Sequence, residues 1–153
     1  MYLKEYLDNL EAEKIRLYVD MDGVIADYIV GEPYDFDKKR PLISNIEKLE
    51  DISKMNNVEM HILSISKMNE GIKQKEHWLD KYAPFFKKEN RVIIAREKYD
   101  FKRSSSELKN EYILGLKRDA SKIVVIDDDP IVLRDIKNSN DDVILLKDTA
   151  LVD

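Results

Sequence analysis

Short apolar runs alternate with helix-patterned stretches along this 153-residue chain, and that alternation limits the folds open to it more than any other feature. IRLYVD (15–20), VEMHILS (58–64), RVIIA (91–95), KIVVID (122–127) and Val143–Leu146 read as strands. Between them, Ile43–Asn56, Ile72–Tyr82, a segment from Ser104 to about Lys117, and Pro130–Asn138 read as helices. Near-continuous runs such as IVVI, in place of apolar–polar alternation, mark strands covered on both faces. Strands separated by helices are the pattern of βαβ units, and right-handed crossovers stack such units into layers. The expected fold is therefore α/β: a three-layer α/β/α sandwich of Rossmann type around a central parallel sheet of about five strands.

Local signals punctuate this pattern. Leu3, Tyr6, Leu7 and Leu10 at helical spacing predict an amphipathic N-terminal helix over about 2–13. Ser104-Ser105-Ser106-Glu107 resembles a capping box, and Pro130 suits a first helical turn. The stretch 28–42, with Gly31, Pro33 and Pro41, reads as a short flap. No repeat or linker divides the chain, so residues 1–153 are expected to form a single domain.

Scarce residue types exclude several chemistries. Without cysteine, disulfides, thiolate zinc sites and a cysteine nucleophile are ruled out, a composition that suits a reducing cytoplasm. The only histidines, His61 and His77, do not make a two-histidine HExxH zinc site. Gly23, Gly31, Gly71 and Gly115 are too dispersed for a dinucleotide fingerprint, a P-loop or a nucleophile elbow. The formal net charge of −5 gives no overall attraction to nucleic acid or anionic membrane. No apolar run approaches the roughly 20 residues of a membrane span, and the charged N-terminus is unlike a signal peptide.

Acidic residues cluster where strands end. The first strand runs into Asp20-Met21-Asp22-Gly23, the second ends at Ser64, and the fourth runs into Asp127-Asp128-Asp129. In open parallel sheets ligands bind beyond the strand carboxyl ends, so these groups should meet. Two unit charges about 4 Å apart repel by about 4 kcal/mol at an effective dielectric near 20. Asp20, Asp22, Asp127 and Asp128 thus call for protonated carboxyls or a hard divalent cation, and Mg²⁺ is the usual choice beside phosphate.

DMDGVIAD after a strand, MHILS ending in Ser64, and KIVVIDDDP resemble, in order, three motifs of the haloacid dehalogenase (HAD) superfamily of aspartate-nucleophile phosphohydrolases. The resemblance covers about 110 residues of the chain. It implies a HAD-like sandwich and a Mg²⁺-dependent phosphomonoesterase acting through an aspartyl phosphate. Asp20 would be the nucleophile, Asp22 the proton donor and then the base, and Ser64 a hydrogen-bond donor to a phosphoryl oxygen. Mg²⁺ would be held by Asp20, Asp127, Asp128 and Asp22, the last through its carbonyl. A lysine completes the set: Lys109, before the fourth strand, or Lys98, in Arg96-Glu97-Lys98. The latter and Lys75-x-x-Trp78-Leu79 are similar to elements of the 5′(3′)-deoxyribonucleotidases. With 43 residues between Asp20 and Ser64, a flap replaces the usual cap domain.

The substrate expected is a nucleotide or another small phosphate ester, with a 3′-phosphorylated nucleic-acid end as the alternative, and an oligomer could close the site. A non-catalytic phospho-acceptor module using the same pocket is a second reading, but the third strand ends RVIIAR, without the acid that receiver domains carry there. Beside these, Asp129 reads as a helix cap, His61 as a core or boundary residue, and Trp78 as packing. Asp27 is either a flap-ordering residue or a solvated one. Lys98–Arg103, which mixes cations with aromatics, reads as a solvated loop ahead of a phosphate- or base-contacting one, and Asp37–Arg40 as exposed charge ahead of a group that meets the leaving group.

Overall fold

The computed structural model describes residues 2–28 and 35–152. Five strands form one parallel sheet: β1 (Ile15–Val19), β2 (Val58–Ser66), β3 (Arg91–Ala95), β4 (Lys122–Asp127) and β5 (Ile144–Lys147). Their spatial order is β3-β2-β1-β4-β5. Helices α1 (Tyr2–Asn9), α2 (Ile43–Ser53), α3 (Asn69–Tyr82), α4 (Ser105–Leu114) and α5 (Pro130–Ser139) flank it. The fold is a three-layer, doubly wound α/β sandwich, as the alternating pattern predicts.

Alternate strand residues feed two separate cores, which is the period-two geometry of a pleated strand. Leu17, Val19, Met60, Ile62, Val124 and Ile126 pack with Leu7, Leu49, Ile52, Trp78 and Leu79 on one face. Tyr18, Leu63, Ile123 and Val125 pack with Ile113, Val132 and Ile136 on the other. Fully burying one such side chain contributes about 1.5–3 kcal/mol, so both faces hold their helices firmly.

Helix α3 begins at Asn69, three residues ahead of the expected Ile72, β5 is shifted by one residue, and four other boundaries differ for a visible local reason. Helix α1 stops at Asn9 rather than running to 13, because Glu11 adopts a left-handed φ of 51° that no helix interior accommodates. Helix α2 ends at Ser53, short of Asn56, and the C-cap N–H of Lys54 closes it with bonds to Asp51 and Ile52. Strand β2 continues past Ser64 to Ser66, since β3 pairs with it as far as Ser66–Ala95. Helix α4 ends at Leu114, where Arg118 Nη1 donates to the carbonyls of Ile113 and Leu116.

The capping box is half formed: Ser104 Oγ accepts the Glu107 N–H at 3.1 Å, while the Glu107 carboxylate turns to Arg103. Of the flap, residues 29–34 lie outside the described residues. The remainder is a strap. Phe36 is fully buried, edge-on to Trp78 with centroids 5.6 Å apart, and Trp78 Nε1 donates to the Lys39 carbonyl at 3.0 Å. Asp27 bonds Arg40 through both its N–H and its carboxylate, so it orders the strap. Among the described residues, no helix is long and apolar enough to cross a membrane.

Candidate active site

The chain winds outward in opposite directions from the β1–β4 pair, which makes their carboxyl ends the switch point where an open sheet leaves a crevice. Register brings the functional groups level there. Val19 faces Ile126 and Ile62, and the Asp20 N–H donates to the Ile126 carbonyl at 3.0 Å. Asp20 and Asp127 therefore emerge at nearly one height, whereas Ser64 lies within the longer β2, fully buried and not among the residues lining the cleft. A cleft of about 380 Å³ opens among Asp20, Asp22, Tyr28, Lys109, Asp127 and Asp128. A larger groove of about 760 Å³ lies at the other end of the sheet, around Lys14, Val58 and Glu59, away from the acids.

Asp20, Asp127 and Asp128 each offer a carboxylate oxygen, all within 4.8 Å of one another. Asp20 and Asp127 are buried; Asp128 is half-buried. Burial, reinforced by neighbouring Asp127, pushes Asp20 up to about 7 and Asp128 up to about 6. Lys109 reaches in from α4, its ammonium 2.9 Å from Asp20 Oδ1 and 2.6 Å from Asp127 Oδ2. Burial disfavours its charge, yet Asp20 and Asp127 outweigh this and hold Lys109 above its usual value.

One lysine does not balance three acids. The donor set is all oxygen, as hard cations require, and each oxygen keeps a further lone pair. Oxygens on opposite sides of an octahedral Mg²⁺ lie about 4.2 Å apart at a ligand distance of about 2.1 Å. Three ligands on such an ion include at least two neighbouring pairs about 3.0 Å apart, so carboxylate oxygens within 4.8 Å of one another would close inward to hold it.

Asp22 behaves differently. Its carboxylate bonds Lys39 Nζ at 2.5 Å through Oδ1 and Lys75 Nζ at 3.1 Å through Oδ2, and it is not one of the three acids that cluster within 4.8 Å. Burial raises this carboxyl, but Lys75 and Lys39 prevail and hold it below the ordinary value. Two ammonium groups thus occupy the Asp22 side chain, and the metal contact expected of this residue is through its backbone carbonyl instead.

Gly23 makes the turn out of β1 with φ +79°. A Cβ there would lie 2.0 Å from Asp128 Oδ2, so glycine serves both the backbone angle and the close approach of that acid. Asp129 caps α5, its Oδ1 accepting the Ile131 N–H at 2.8 Å. His61 stacks on Tyr18 at 4.5 Å and bonds Glu59, on the sheet face opposite Ser64. Of the two candidate lysines, Lys109 enters the cleft, whereas Lys98 is exposed on the turn Arg96–Tyr99 and does not line it.

Two site residues escaped the sequence reading as such. Lys39 comes in on the strap, within the Asp37–Arg40 run read as solvated charge, yet its side chain is largely covered and its ammonium lies on Asp22. Lys75 did carry a signal: it shares a helical stripe with Gly71, Trp78 and Leu79, and all four are buried. A lysine in the middle of a core-facing stripe is rarely tolerated without partners. No protein-family model matches the chain, and no curated protein matches it.

Proposed function

We propose that this chain is a Mg²⁺-dependent phosphomonoesterase of the HAD type, working through an aspartyl phosphate. The observation that carries the reading is the gathering of Asp20, Asp22, Lys109, Asp127 and Asp128, from three separate chain segments, around one cleft at the end of the sheet, with buried Ser64 tied to Asp22 through Lys75. Asp20, Asp127 and Asp128 would hold the divalent ion together with the Asp22 carbonyl. When bound, the ion supplies positive charge to the phosphoryl oxygens and keeps Asp20 ionised.

Asp20 then attacks phosphorus, and the bond from phosphorus to the leaving oxygen breaks. Asp22, which Lys39 and Lys75 hold ionised in the free site, takes up a proton from solvent as the phosphoryl group brings negative charge beside it, and gives that proton to the leaving oxygen, so the alcohol leaves neutral. Water attacks the aspartyl phosphate while Asp22 takes back a proton; inorganic phosphate departs and Asp20 is regenerated. Lys109 holds Asp20 in place and offsets charge on the phosphoryl group. Ser64 donates its hydroxyl to a phosphoryl oxygen. A nucleotide or other small phosphate ester suits a cleft of this size, and a 3′-phosphorylated oligonucleotide end is the competing substrate.

A screen over nucleotides, sugar phosphates and 3′-phosphorylated oligonucleotides, with and without Mg²⁺, tests the reading. Turnover that needs Mg²⁺ is expected. Asp20→Asn should fold normally and lose at least about 1,000-fold in rate, within the range seen for removing a reacting group. Residual activity above a few per cent in that variant counts against Asp20 as nucleophile. A stable aspartyl phosphate without phosphate release would instead indicate a phospho-acceptor module.

A further inference from the structure

The mechanism above makes no use of Lys75, although its side chain is fully buried beside the site. Its ammonium has three N–H donors and three acceptors: Ser64 Oγ at 2.7 Å, the Ile65 carbonyl at 2.7 Å and Asp22 Oδ2 at 3.1 Å. The geometry points to Lys75 as a positioning residue that fixes the direction of the Ser64 hydroxyl proton and the orientation of Asp22. This inference rests on the phosphomonoesterase reading of the same cleft.

An ammonium can only donate, so Ser64 Oγ must accept from Lys75. The hydroxyl's single proton is thereby turned away from Lys75 and left for another acceptor. A phosphoryl oxygen is an acceptor only, and the Ser64 hydroxyl, itself buried beside the Ile65 that lines the cleft, keeps its proton for one that comes within reach. The same ammonium holds one oxygen of Asp22, while Lys39 holds the other from the strap. Lys39 sits at the cleft edge on a segment separate from α3. Lys75 is anchored inside α3 between Gly71 and Trp78 and does not reach solvent. Lys75 therefore acts through Ser64 and Asp22, never on substrate directly. Fixing a donor in advance matters because reorganisation during the reaction is what a preorganised site avoids.

The test compares wild type, Ser64→Ala, Lys75→Met and the double variant, with melting temperatures recorded alongside steady-state kinetics on the best phosphomonoester. Each single variant is expected to lower kcat roughly 100-fold, as loss of one preorganised donor does, with KM changed much less. The double variant is expected within about threefold of the poorer single one, because both changes remove the same bond. Multiplying losses, or a Lys75→Met enzyme at the wild-type rate, would overturn the assignment. Should Lys75→Met fail to fold, or wild type turn over no phosphomonoester, ¹⁵N NMR of the Lys75 ammonium decides in wild type and Ser64→Ala. A slowly exchanging signal that broadens when the serine is lost upholds the assignment. A signal absent from wild type, or indifferent to Ser64→Ala, overturns it. Inactive wild type with an intact ammonium signal would sink the phosphatase reading alone.

Discussion

Gly23 shows how narrowly a single position can be constrained. Its backbone sits at φ +79°, and the Asp128 carboxylate lies where a side chain would begin. Gly23→Ala should cost roughly 2 kcal/mol in strain and push Asp128 out of the three-acid group. Chemical denaturation measures the first effect and Mg²⁺ titration the second; unchanged Mg²⁺ affinity would mean that Asp128 is not a ligand. The two candidate lysines separate by position at the same scale. Lys109 bonds Asp20 and Asp127, whereas Lys98 is exposed. Lys109→Met is expected to reduce turnover about 100-fold or more, and Lys98→Met by less than about threefold, well within surface-substitution effects. A reversed order in a parallel assay would return Lys98 to the site.

Helix α3 and the strap form the element that distinguishes this site. Gly71, Lys75, Trp78 and Leu79 recur at helical spacing, so the face that packs on the sheet also carries the buried ammonium. Trp78 holds the strap twice, by the Phe36 ring and by the Lys39 carbonyl. Trp78→Ala should therefore cost about 3–5 kcal/mol, as large-to-small core changes do. It should also loosen Lys39 from Asp22, raising KM for substrate. A melting curve and a substrate titration on the same preparation check both; lost stability with unchanged KM would show that the strap does not serve the cleft. Helix α4 contributes by its start, where Ser104 satisfies the Glu107 N–H, and by Lys109 one turn further in.

Across the whole molecule, buried titrating groups pull stability in opposite directions with pH. Asp20 and Asp128 are raised, so their contribution is present below about 3.8 and lost as pH climbs through about 6 and 7. His61 is lowered, chiefly by burial against Tyr18, although Glu59 partly offsets this. Its contribution is complete above the unfolded value of 6.5 and lost as pH falls through the lower folded value. Comparing wild type with His61→Phe cancels the other groups. Between pH 7 and 5, wild type should lose more stability than the variant; equal losses would mean that His61 is not buried in its neutral form.

What the amino-acid order determined by itself is the layer pattern and the identity of the acids. Runs such as RVIIA and KIVVID became strands over their expected residues because apolar periodicity is a local property. Asp129 before Pro130 likewise declared its helix start, since a cap reaches only two or three residues ahead. The length of β2 was decided by pairing with β3, and the end of α1 by a left-handed residue that composition does not mark. Only the tertiary structure chose Lys109 over Lys98 for the cleft and brought Lys39 and Lys75 onto Asp22. A contact across 17 or 53 residues depends on where whole elements pack, and no window of sequence contains that information.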